Sequence, residues 1–303
     1  MRGGPRILVV LVAVVVVCVA VDLDAQRRGF SGGASKSVPG LGTRRPTPPD
    51  PSDARLLPPA EFKQFDVHSR RRIMMAWAYG SPDKAGAAIL PLIEAGLKDE
   101  DKDVRQHAVA TLRRVQNEAS WALATKQPVI TNPSEYPSLS ETLLQLLDDP
   151  DPYLRGEVVT ALAALAVPPT EALEGVLLSR LVKEAPFVRA RMVRALTERA
   201  RSGSSNALAA VLSALEDADS GVRDNAVSAM RYLRAPEALP VLLREMVLAR
   251  EPWMRKAVVQ VLMAYGELTK PYVSMVRESL TREADPDVRD ELERLVARLE
   301  RNP

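Results

Sequence analysis

Apolar and polar positions recur along this chain with the spacing of a helix face, and the whole pattern then recurs with a longer period. Six times an apolar residue is followed by arginine: Val104-Arg105, Leu154-Arg155, Val188-Arg189, Val222-Arg223, Met254-Arg255 and Val288-Arg289. The arginines step by 50, 34, 34, 32 and 34 residues. Apolar residues return three positions after each arginine (Ala108, Val158, Met192, Ala226, Val258, Leu292) and seven after it (Leu112, Leu162, Leu196, Met230, Leu262, Val296). Together with the residue before the arginine they form one helical stripe. A second stripe lies upstream, eight residues before the arginine (Leu97, Leu147, Leu181, Leu215, Val247) and twelve before it (Ile93, Leu143, Leu177, Val211, Leu243). In the sixth repeat it is displaced by one, to Leu280 and Val276. Each unit is thus a hairpin of helices A and B that cannot bury its stripe without a neighbour. No stretch alternates with the period of a strand.

The starts of the B helices are marked. Four residues before the arginine stand Asp101, Asp151, Asp219, Glu251 and Asp285, with Ala185 the exception. Three before it stand Pro152, Pro186, Pro252 and Pro286. An acid at the N-cap and proline in the first turn is a helix-start signal, because the side chain accepts from free N–H groups and proline has none to lose.

This pattern resembles HEAT-type repeats, including the short HEAT-like repeats of the phycobilin-lyase class. The residues that carry the likeness are the acidic cap, the Val-Arg pair, and small apolar positions such as Ala108-Val109 and Ala226-Val227. It covers about residues 82–301. The period of 34 equals that of tetratricopeptide repeats, but the Trp, Gly and Tyr positions of that family are missing. Phe62 to Tyr79 carries Arg70-Arg71-Arg72-Ile73-Met74 about one period before Arg105 and reads as a capping repeat. The fold expected is an all-α, right-handed alpha-alpha superhelix, a HEAT-like solenoid of about six helical hairpins plus an N-terminal capping helix. The resemblance further implies that cap acids and B-helix arginines pair between neighbouring repeats, which makes the six arginines structural.

The N-terminus is different. Arg2 and Arg6 precede an apolar run from Ile7 to Val21, followed by polar Asp22. That layout is a signal peptide, with an uncleaved anchor as the alternative; fifteen residues span only ~22 Å as a helix. Residues 1–25 are therefore read as signal peptide or anchor, 26–59 as a disordered Gly/Pro-rich linker, and 60–303 as the repeat domain. The expected location is secreted or periplasmic, with membrane anchoring by residues 7–21 as the alternative. Gly29-Phe30-Ser31-Gly32-Gly33 matches a nucleophile pattern but falls in the linker, without the strand and helix that chemistry needs.

The formal net charge of the chain is +2. The excess sits in residues 26–58, leaving a near-neutral repeat region that argues against a nucleic-acid groove. Cys18 is the single cysteine and lies in the apolar run, so the repeats hold no disulfide or Cys-ligated metal. The two histidines, His68 and His107, stand in different repeats. No catalytic residue, cofactor site or metal site is legible.

Candidate binding residues come from the B-helix positions that the apolar stripe leaves free: Arg191 and Arg194; Asn225, Arg231 and Tyr232; His107 and Arg114. Arginine beside tyrosine on a rigid ridge is the composition of a protein-binding hot spot. An acidic partner segment would fit it; a solvated face with local ion pairs is the plainer alternative. A second candidate is the long step between Gln116 and Pro137, where helix B should run to about Thr125 before a loop at 126–137. Trp121 and Tyr136 beside it read as plugs for the apolar seam. The function expected is a non-catalytic protein-interaction scaffold exported across the membrane. The alternative is a lyase-like enzyme or enzyme accessory acting on a partner protein.

Overall fold

A computed structural model describes residues 54–80, 82–125, 134, 136–165 and 170–301. The apolar run 7–21, Cys18, the Gly29–Gly33 motif and residues 126–133 of the long step lie outside the described residues. Among those described, the chain is helical throughout with no strand. A short α1 (Pro59–Phe62) and α2 (Val67–Tyr79) precede six A–B pairs: α3 (Leu90–Leu97) with α4 (Lys102–Thr125), α5 (Pro137–Gln145) with α6 (Pro152–Leu165), and α7 (Glu171–Arg180) with α8 (Pro186–Arg201). They continue as α9 (Ser205–Ala214) with α10 (Ser220–Leu233), α11 (Leu239–Leu248) with α12 (Pro252–Tyr265), and α13 (Val273–Arg282) with α14 (Pro286–Arg301). The chain divides into two compact units between Leu154 and Arg155, inside α6. None of the helices is long and apolar enough to cross a membrane.

In the first unit α2 packs on α4 as one B helix on the next, and α3 packs on both α4 and α5. In the second unit α8, α10, α12 and α14 pack in order, each carrying its own A helix. The apolar stripe explains this. The residue before each repeat arginine and the one three after it are buried in all six repeats. Each Val, Leu or Met among them contributes about 1.5–3 kcal/mol by leaving water, and Ala108 and Ala226 less. Gly96 lets α3 approach closely: an added Cβ would sit 2.9 Å from Ala108 Cβ.

Four stripe positions differ from expectation, Leu280 and Val296 among them being only half-buried. Val247 is exposed, and Leu239, Leu242, Leu243 and Met246 are buried instead. The step to this repeat is the short one of 32 residues, and the turn leading into α11 passes through Arg234 in the left-handed region (φ 49°). Met246 takes the inner place, and the two residues missing from the step fall in the A–B loop after α11, which has three residues (249–251) where the preceding repeat has five (215–219). Leu181 is only half-buried, in a 3-10 turn after α7. Trp121 is also not the buried plug expected, being more than half exposed, whereas Tyr136 is half-buried and hydrogen-bonds Glu94.

The caps form largely as the spacing predicts. Asp101, Asp219 and Asp285 each accept from two backbone N–H groups of the following helix, and Asp151 accepts from Tyr153. Glu251 makes no such bond.

The ion-pair ladder exists, but its acid is not the cap. Five arginines, that of the capping repeat included, reach an acid one or two residues before the next repeat's cap position. Arg70 holds Asp99, Arg105 holds Asp149, Arg155 holds Glu184, Arg189 holds Asp217 and Arg255 holds Glu283. The Nε–Nη2 edge does the holding, with Arg189 at 2.8 and 2.6 Å and Arg255 at 2.8 and 2.7 Å from the two carboxylate oxygens. Nη1 meanwhile donates to carbonyls in the A–B loop of the arginine's own repeat, as Arg105 does to Asp99 and Glu100. In four of these loops the acid also accepts from the backbone N–H of the cap residue two positions on. One guanidinium therefore fixes two loops. The cap acids are served from one position further along the helix, by Arg71 on Asp101 and Gln106 on Asp151.

Removing Arg189 leaves a mostly buried Asp217 without its partner, so Arg189→Ala should cost about 3 kcal/mol. Arg277→Ala, which loses only the exposed pair with Glu300, should cost no more than about 1 kcal/mol. Urea unfolding of the two variants checks the difference; equal losses would remove the ladder's structural role.

The ladder also sets a pH dependence. Arg71 holds Asp101 down at about 2. Arg189 and Arg255 hold Asp217 and Glu283 below their ordinary values of 3.8 and 4.5. Depressed folded values mean stability that is present above the ordinary range and lost as pH falls. Stability should therefore decline between about pH 4.5 and 2, and Asp217→Asn should flatten that decline. Burial pushes Asp224 the other way, upward. Its ionisation opposes folding, so Asp224→Asn should be more stable than the parent at neutral pH and equal to it in acid. Thermal melts across pH test both signs.

Candidate functional site

The solvent side of the B helices carries the residues singled out by sequence, and the structure separates them into engaged and exposed groups. Arg191 is largely engaged. Its Nη2 donates to Glu157 Oε1 at 3.3 Å, joining equivalent positions of α6 and α8, and its side chain is 18% exposed. Its guanidinium stands 5.0 Å from the Phe187 ring centroid. That ring fills the space beside Gly156, where any Cβ would overlap it, so the absence of a side chain at 156 is what seats Phe187 and Arg191. Arg194 is half-buried on the same helix. Asn225 turns back on α10, donating to the Gly221 carbonyl at 2.8 Å.

Arg231 and Tyr232 are exposed on α10. Arg231 Nη2 donates to Gln260 Oε1, and Gln260 Nε2 donates to Glu291 Oε1, both at 3.1 Å. A polar relay thus crosses α10, α12 and α14. With Met263, Ala264 and Arg298, these residues line an open cleft of about 490 Å³. Tyr232 carries the Arg201 guanidinium 5.6 Å from its ring centroid. The second unit therefore brings Arg191, Arg194, Asn225, Arg231 and Tyr232 onto two packed helices. His107 and Arg114 belong to α4 in the first unit. His107 Nδ1 lies 2.6 Å from the Asp103 carbonyl, with the Tyr79 ring 6.4 Å away, and Arg114 is exposed.

Sequence reading missed Gln260, Glu291 and Arg298. They fall at the fifth, second and ninth positions after their arginines, which the stripe also leaves free; a repeat-by-repeat alignment of those positions would have found them. It also missed two clefts beside α11. One, of about 730 Å³, is lined by Leu243, Val247, Leu248, Tyr272 and Met275 with Arg244 and Arg282 at its rim. The other, of about 600 Å³, contains Arg223, Arg244, Leu248 and Ala249. Among the described residues no group of three or more His, Cys, Asp or Glu is placed to hold a metal ion.

The arrangement is one of surfaces. It offers arginines, a tyrosine and shallow clefts, which suit contact with another chain. Comparison with one solved structure agrees on the fold. YibA of Escherichia coli matches with a TM-score of 0.55 at 16% identity, covering 82% of each chain. Human deoxyhypusine hydroxylase in complex with glycerol matches at 0.37 and 17%, covering 80% of this chain and 83% of that one. A designed armadillo repeat protein matches at 0.36 and 17%, covering 80% and 99%. No curated protein matches the chain. The family model for HEAT repeats matches residues 140–213, 175–248 and 208–297, more than half of the sequence, and the chain belongs to the HEAT-repeat family.

Proposed function

We propose that this HEAT-repeat protein is a non-catalytic scaffold that binds an acidic segment of a partner protein on its B-helix ridge, on the far side of a membrane. HEAT repeats suggest a protein-interaction scaffold in general. The finer reading is carried by one observation: Arg231 and Tyr232 stand exposed side by side on α10, between Arg201 and the cleft containing Arg298. A rigid helix holds them, so little side-chain freedom is left to lose on binding. Arg191, taken up by Glu157 and Phe187, supports the ridge and is not its contact point. Export is supported by the Arg2 and Arg6 charges ahead of the apolar run Ile7–Val21.

In-cell crosslinking with mass spectrometry compares the parent with the double variant Arg231→Glu, Tyr232→Ala, which spares the arginine ladder. The expected result is one protein partner lost from the variant. Purified, that pair should bind at least tenfold more weakly, since a hot-spot residue contributes about 2 kcal/mol or more. Unchanged partners and affinity would overturn the ridge reading. Protease accessibility of the repeats from outside intact cells would separately test export.

A further inference from the structure

The arginine ladder has one gap inside the second unit. Position six before the repeat arginine is Asp99, Asp149, Asp217 and Glu283 in repeats one, two, four and six, and Glu184 serves one place later in repeat three. Repeat five has Ala249 there. Ala249 is the residue that Arg223 should meet. Arg223 still donates Nη1 to the Asp217 and Ala218 carbonyls of its own loop, so its guanidinium is held as in the other repeats. Its Nε, however, is buried and has no hydrogen-bond partner. The nearest acid is Glu245, whose Oε2 stands 4.0 Å from Nε, beyond hydrogen-bond reach. Glu245 is shared with Arg244 at 3.8 Å, and Arg244 is already bonded to Glu216 at 2.9 Å.

The arginine edge that grips a carboxylate in five other repeats is thus set in place with the carboxylate missing. It borders the cleft of about 600 Å³ formed with Arg244, Leu248 and Ala249. Leu248, 67% exposed, lines this cleft and also the neighbouring apolar one with Val247 and Met275. We infer that the Ala249 gap is a docking site for an aspartate or glutamate of a partner protein, whose carboxylate completes the rung on Arg223 while an adjacent apolar side chain covers Leu248. Charge and shape both point to this occupant. The guanidinium offers two parallel N–H donors, which a planar carboxylate matches and a neutral amide does not. Glu245 is the internal competitor: it moves toward Arg244 when the partner's carboxylate arrives. The site is separate from the ridge around Arg231, two turns further along α10, and does not depend on the ridge reading.

The test follows the Arg223 Nε–Hε signal by NMR in the whole protein. The probe is a capped Asp-Leu-Asp tripeptide, with capped Asn-Leu-Asn as control. The Arg223 signal should move saturably with the acidic peptide alone. Ala249→Asp should fill the gap from within, shift the signal in the free protein and weaken peptide binding at least tenfold. Glu245→Gln should strengthen binding severalfold. Arg231→Glu should leave this titration unchanged, which keeps the outcome distinct from that of the ridge. An unmoved Arg223 signal at saturating peptide, or equal binding by Ala249→Asp, would overturn the proposal. Movement in Glu245→Gln but not in the parent would overturn it too, since Glu245 would then fill the gap itself.

Discussion

A guanidinium that must satisfy two loops at once is the constraint on which this structure depends. Each repeat arginine sits one turn into a B helix, too far inside to be solvated freely. Where the rung forms, the Nε–Nη2 edge goes to an acid of the loop ahead, and in Arg105, Arg189 and Arg255 Nη1 goes to carbonyls of the loop behind. The carbonyls are loop groups with no place in a helix ladder. The apolar stripe supplies most of the energy of stacking, but a stripe tolerates sliding by a turn. The ion pair does not, because a bidentate contact is lost within an ångström or so of misplacement. The regular rungs accordingly keep a nearly constant separation, 28 or 29 residues from arginine to acid in Arg155, Arg189 and Arg255.

This explains what the sequence shows openly and what it conceals. The arginine period, the buried positions around it and the prolines at helix starts are local or strictly periodic, and they carry the fold class. The identity of the rung acid is less open. Asp99 and Asp101 stand two residues apart and either could face Arg70 or Arg71; only the loop geometry assigns the first to the rung and the second to the cap. Val247 fits the stripe by count, yet the A–B loop after α11 is two residues shorter than the one before it in the array, and Met246 lies inside. Counting the arginine step cannot say in which loop the two residues are missing.

The ridge shows a similar division. That Arg231 and Tyr232 stand on solvent-facing positions was legible from the helix period. That Arg191 is anchored was not, because its bond to Glu157 and the seating of Phe187 against the bare backbone at Gly156 are contacts between repeats. The relay from Arg231 through Gln260 to Glu291 likewise joins residues about thirty apart. Such links restrict the orientations of the polar side chains along this face.

The short A–B loop and the missing acid coincide at residues 249–251, the loop that should answer Arg223 of the preceding repeat. In a chain of nearest-neighbour couplings, the weakest coupling sets how far a correlated fluctuation travels. Motion that starts in α13 and α14 spreads readily through α12, where Arg255 grips Glu283, and is damped at α10, where Arg223 grips no carboxylate. The second unit then behaves as two blocks joined by a soft spring. Any ligand that bridges Arg223 to the following loop stiffens that spring and lengthens the distance over which one end of the unit responds to the other.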